Sequence, residues 1–82
     1  MLKIYGSKLC PDCIDCVREL KASNVDFEYC DFGENLLYLK EFLKIRDESR
    51  EFDEIRMAGK IGIPCILRED GSLTLSWSEF LK

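Results

Sequence analysis

The sequence predicts a single α/β domain. Two observations carry this. Short runs of alternating apolar and polar residues are interleaved with stretches whose apolar residues recur at helical spacing. The chain, at 82 residues, has room for one hydrophobic core and no more. A domain of this size buries roughly 60–65% of the surface its unfolded chain exposes, enough for a core without staples. The elements read in the order β-α-β-α-α-β-β-α, without internal repeats, linkers or low-complexity segments.

Leu2 to Gly6 alternates and stops at Gly6-Ser7, a short strand. Cys10-Pro11-Asp12-Cys13 follows, and Pro11 suits the first turn of a helix, where its missing N–H is not needed. Cys13, Cys16, Val17 and Leu20 then fall at i, i+3, i+4 and i+7, one apolar face of a helix running to about Ala22, with Ser23-Asn24 as its exit. Val25 to Phe32 reads as a second strand. Phe27, Tyr29 and Asp31 lie on one side of it, Glu28, Cys30 and Phe32 on the other.

After Gly33, Leu36, Leu39, Phe42 and Leu43 share a helical face. The pattern lapses through Arg46 to Glu51 and resumes with Phe52, Ile55 and Met57. Two helices are therefore expected, about 34–46 and 50–58, with a polar break between them and Gly59 as a stop. The charged stretch Arg46 to Glu54 reads as a solvated helix surface, with docking of a protein partner as the sharper alternative. Ile61 to Leu67 is an apolar run, and Asp70-Gly71 is a hairpin signal leading into Leu73, Leu75 and Trp77. Ser78 is placed to cap a last short helix, Glu79 to Lys82.

Composition excludes several function classes. Net charge is −4, and Lys and Arg are scattered among Asp and Glu, so nothing tracks a nucleic-acid backbone. No apolar run approaches the roughly 18 residues a membrane span needs. The N-terminus does not read as a signal peptide, and a cytoplasmic location is expected. The chain has no His, which removes His general bases and Cys/His zinc sites together. It does have five Cys: Cys10, Cys13, Cys16, Cys30 and Cys65. An odd count without export speaks against a disulfide scaffold and for redox chemistry or metal.

Cys10-Pro11-Asp12-Cys13 at a strand-to-helix junction has a physical rationale. The first Cys meets the free N–H groups of the helix start, which favour a thiolate. A thiolate attacks a disulfide sulfur to form a mixed disulfide, and the second Cys, one turn on, displaces the bound thiol. A metal or iron–sulfur module is the competing reading, using Cys10, Cys13 and Cys65, with Cys16 extending the run to C-x-x-C-x-x-C. Core packing is the plainer reading for Cys16, Cys30 and Cys65, and also for Trp77 and Phe80.

The segment Ile4-Tyr5-Gly6-Ser7, then Cys10-Pro11-Asp12-Cys13, resembles the opening of a glutaredoxin. Ile63-Pro64 before a strand resembles that family's cis-proline segment, and the Asp70-Gly71 hairpin fits as well. The likeness spans nearly the whole chain and is nearest to small bacterial glutaredoxin-related proteins with Cys-Pro-Asp-Cys. It implies a thioredoxin-like three-layer α/β/α fold on a four-stranded mixed sheet. It implies a monomeric thiol–disulfide oxidoreductase that reduces glutathione mixed disulfides or protein disulfides, with glutathione as a possible co-substrate and no resident cofactor or metal. Carried over by position, Cys10 is the nucleophile and Cys13 the resolving thiol. Lys8, Pro11, Asp12, Ile63 and Pro64 become substrate-binding residues, with Pro64 cis, Ile63 offering backbone groups to an extended thiol and Lys8 facing a carboxylate. Asp12 stands where the family carries an aromatic residue, and its charge opposes thiolate formation beside it.

Overall fold

A computed structural model describes all residues, 1–82. Strand β1 is Leu2–Gly6, helix α1 is Pro11–Ala22 and strand β2 is Phe27–Asp31. Helix α2 is Leu36–Glu48; a 3₁₀ turn, Arg50–Phe52, leads into the short α3, Asp53–Met57. Strands β3 (Cys65–Leu67) and β4 (Leu73–Thr74) form the hairpin, and a 3₁₀ turn, Trp77–Phe80, ends the chain. No helix is long and apolar enough to cross a membrane.

The sheet runs β2-β1-β3-β4, with β1 parallel to β2 and antiparallel to β3. Because strand side chains alternate, the register sorts the sheet into two faces. Ile4 pairs with Tyr29 and with Ile66, so these share the α1 side. Tyr5 pairs with Cys30 and with Cys65, so these share the other. Leu2, Ile4 and Ile66 pack with Cys16 and Leu20 of α1, and Phe27, Trp77 and Phe80 close over them. Tyr5, Cys30 and Cys65 pack against Phe42 and Phe52 on the opposite side. Each large apolar side chain buried this way stabilises the fold by about 1.5–3 kcal/mol. The arrangement is that of a small thioredoxin-like α/β/α fold.

Local chemistry explains where the elements stop. Asn24 leaves α1 at φ 57, and its amide donates to the Lys21 carbonyl. Asn35 caps α2 by accepting the Leu37 N–H at 2.9 Å. Gly59, at φ 70, ends α3, and Lys60 N donates back to the Ile55 carbonyl. The apolar run from Ile61 becomes strand only at Cys65, because Pro64 has no N–H for a ladder; the Ile63–Pro64 bond is cis. The Asp70-Gly71 turn closes with Arg68 N donating to Ser72 O at 2.8 Å.

The expected helix over Glu79–Lys82 does not form. The last turn is 3₁₀, begins two residues earlier, and Ser78 caps nothing. Tertiary contacts hold the segment instead: Trp77 Nε1 donates to Glu19 Oε2 at 2.9 Å, and Arg68 pairs with Glu79 at 2.5 Å. The stretch over Arg46–Glu54 is only partly a solvated surface, since Phe52 is fully buried within it.

Candidate active site

β1 delivers the chain to Gly6, and Ser7–Leu9 turn it into α1. Cys10 N donates to the Ser7 carbonyl at 3.1 Å, and Leu9 N to Ser7 Oγ at 3.1 Å. Cys10 is the residue just before the helix, in extended backbone at φ −97 and ψ 116, and Pro11 is the first helical residue. Pro11 lacks an N–H, and first-turn amides have no carbonyl partner inside the helix. Cys10 is half-buried and makes no capping bond of its own. Its sulfur thus belongs to the positive end of α1.

Cys13, one turn later, is fully buried. It points to the sheet, over Gly6: a Cβ built on Gly6 would stand 2.8 Å from Cys13 Sγ. Burial pushes the Cys13 thiol up to about 12. The Ser7 backbone draws it back, the neighbouring Cys10 sulfur pushes it up again, and the Tyr29 hydroxyl draws it down. At neutral pH this sulfur is therefore a protonated thiol. Both sulfurs are free.

The sequence-predicted site residues divide between two clefts. Asp12, Ile63 and Pro64 line one of about 440 Å³, together with Ile61, Leu75 and Trp77. Within its wall, Ile61, Gly62 and Ile63 make no backbone hydrogen bond, so their N–H and C=O groups are open to a partner. Gly62 sits at φ 93 with the Phe52 ring 2.7 Å from where a Cβ would stand, which leaves room for glycine alone. Lys8 and Cys13 line the second cleft, of about 370 Å³, with Ile14, Val17, Phe27 and Tyr29. Cys10 and Pro11 line neither.

Lys8 is already engaged. Its ammonium lies 2.9 Å from Glu34 and 3.7 Å from Asp31, and these carboxylates hold it in the charged form. The sequence does not mark Gly6, Tyr29 or Trp77 as site residues: spacing puts Tyr29 on a strand face without a partner and Trp77 in packing; Trp77 does pack, yet it also forms a wall beside Pro64.

The metal reading finds no support in the geometry. Nowhere do three Cys, Asp or Glu side chains converge to hold an ion. The helix aims Cys13 and Cys16 at one face of the sheet, whereas Cys65 packs on the other. Cys16, Cys30 and Cys65 are core residues, each fully buried. Burial pushes the thiols of Cys16 and Cys65 up to about 12 and that of Cys30 to about 11.

No family model matches the chain, and no solved structure does. A protein of Haemophilus influenzae, described as an uncharacterized protein, is 34% identical over 76 residues, covering 93% of this chain and 88% of the relative. With a thioredoxin-like fold, a Cys-x-x-Cys at the start of its first helix and that degree of likeness end to end, the chain belongs to the family of this Haemophilus influenzae protein.

Proposed function

We propose that this protein is a thiol–disulfide oxidoreductase of the glutaredoxin kind, with Cys10 attacking and Cys13 resolving. The observation that carries the reading is the pairing of two unlike sulfurs: a partly exposed one at the helix start, and a buried, protonated one bearing on it from the next turn. Cys10 as thiolate attacks one sulfur of a disulfide, forms a mixed disulfide and expels the other as a thiol. Cys13 then attacks the Cys10 sulfur, closing the Cys10–Cys13 disulfide and releasing the second thiol. The substrate is reduced by two electrons and the dithiol is oxidised by two. Glutathione or another dithiol then restores the pair, in keeping with a cytoplasmic setting.

Asp12, Ile63 and Pro64 border the cleft in which the substrate's chain would lie, and the unpaired N–H and C=O of Ile63 suit strand-like addition. Pro11 holds the first turn. Lys8, shared between two carboxylates, has a weaker claim on a substrate carboxylate than its position in the sequence implied.

Cys10→Ser should abolish disulfide reduction, and Cys13→Ser should leave a mixed disulfide on Cys10 that mass spectrometry detects. Full reductase activity in Cys10→Ser would sink the mechanism.

A further inference from the structure

The resolving sulfur must lose its proton, yet it is buried where charge is disfavoured. What meets it there is a phenol. The Cβ position on Gly6 lies 2.8 Å from Cys13 Sγ and 2.9 Å from the Tyr29 hydroxyl, so thiol and hydroxyl crowd the same space above a glycine. Tyr29 reaches it because the β1–β2 register sets Ile4 opposite Tyr29 and Gly6 opposite Asp31, all on the α1 side. Both Cys13 and Tyr29 also line the smaller, mostly apolar cleft.

Resting on the redox reading of Cys10 and Cys13, we infer that Tyr29 donates the hydrogen bond that stabilises the Cys13 sulfur as it ionises for resolution. In the mixed disulfide, the Cys13 thiol gives up its proton and its sulfur attacks Cys10. The Cys13–Cys10 bond forms, the bond from Cys10 to the substrate sulfur breaks, and the departing thiolate takes up a proton. One thiol is consumed and one released. Tyr29 ends as it began, protonated.

The surroundings suit a donor rather than a base. Burial, followed by the neighbouring Cys13 and Asp31, raises the phenol above its ordinary range and keeps its proton on. The ionisable groups around this space are Cys10 and Cys13 at the start of α1, Lys21 farther along it, Lys8 from the preceding loop and Asp31 on β2. Asp31 is 3% exposed, accepts the Gly33 N–H at 2.9 Å and faces Lys8.

The test is Tyr29→Phe, which keeps the ring and removes the donor. Release of the second thiol from a preformed Cys10 mixed disulfide should slow roughly tenfold at neutral pH, as for a lost hydrogen bond to a charged group. The rising limb of its pH profile should move to higher pH, while alkylation of Cys10 keeps its rate. A release rate and pH profile equal to those of the unsubstituted protein would overturn the role of Tyr29. If Tyr29→Phe does not fold, 3-fluorotyrosine at position 29 carries the test: its more acidic hydroxyl should move the limb to lower pH, and an unmoved limb overturns the inference. Failure of the unsubstituted protein to form any mixed disulfide on Cys10 would overturn the redox reading instead, and the role of Tyr29 with it.

Discussion

Gly6 is small because two side-chain atoms, Cys13 Sγ and the Tyr29 hydroxyl, lie against it. An alanine there drives a methyl group to 2.8 Å from Cys13 Sγ and 2.9 Å from the Tyr29 hydroxyl, well inside contact distance. Cys13 is no free-swinging end: it sits on a helix, and its Cβ is only 3.3 Å from the same point. Gly6→Ala should therefore destabilise the reduced protein by about 1–3 kcal/mol, the usual range for overpacking. The urea midpoint reads this directly, and a midpoint equal to that of the unsubstituted chain would show that the sheet yields there without cost.

Two elements carry polar contacts that single substitutions can test. The Asn35 side chain satisfies the Leu37 N–H at the start of α2, and no acidic residue in that first turn supports it. Asn35→Ala should lower stability by about 1 kcal/mol, whereas Asn35→Asp should keep most of it. For a domain of this length that is a fall in Tm of roughly 4–8 °C. Equal melting of the two variants would mean that the cap does not hold α2. In the C-terminal 3₁₀ turn, Trp77 donates to Glu19, beside the Arg68–Glu79 pair. Trp77 is the chain's single tryptophan, so its fluorescence reports on the turn. Glu19→Ala should shift emission to the red as the indole meets water; an unchanged spectrum would show that apolar packing alone seats it.

Over the whole molecule, buried thiols link stability to pH. A free thiol ionises near pH 8.5, about where the unfolded chain's cysteines do. In the fold, burial pushes Cys13, Cys16 and Cys65 up to about 12 and Cys30 to about 11. Above pH ~9 the unfolded chain therefore binds fewer protons than the folded one, and stability falls as pH rises. The thiol contribution is complete below about pH 8.5 and drains away between there and about pH 12. Urea midpoints of the reduced protein should fall from pH 8 through pH 10.5. They should fall less in Cys30→Ala, which lacks one of these protons. A flat profile would mean that the core admits thiolates.

The local half of this protein was legible in its residues. Cys10-Pro11-Asp12-Cys13 after a strand, the i, i+3, i+4 face of α1, the two sides of β2 and the turn at Asp70-Gly71 follow from spacings within one element, where geometry is fixed by the backbone. Partners between elements were not. That Tyr29 meets Cys13, that Trp77 stands beside Pro64, that Lys8 is taken by Glu34 and Asp31, and that Cys65 faces away from Cys13 all depend on strand register and on which face each helix covers. The last turn shows the same divide: Ser78 offered a cap, but the Trp77–Glu19 contact across the chain set the conformation. Periodicity reads neighbours along the chain, and only packing decides which distant side chains become neighbours in space.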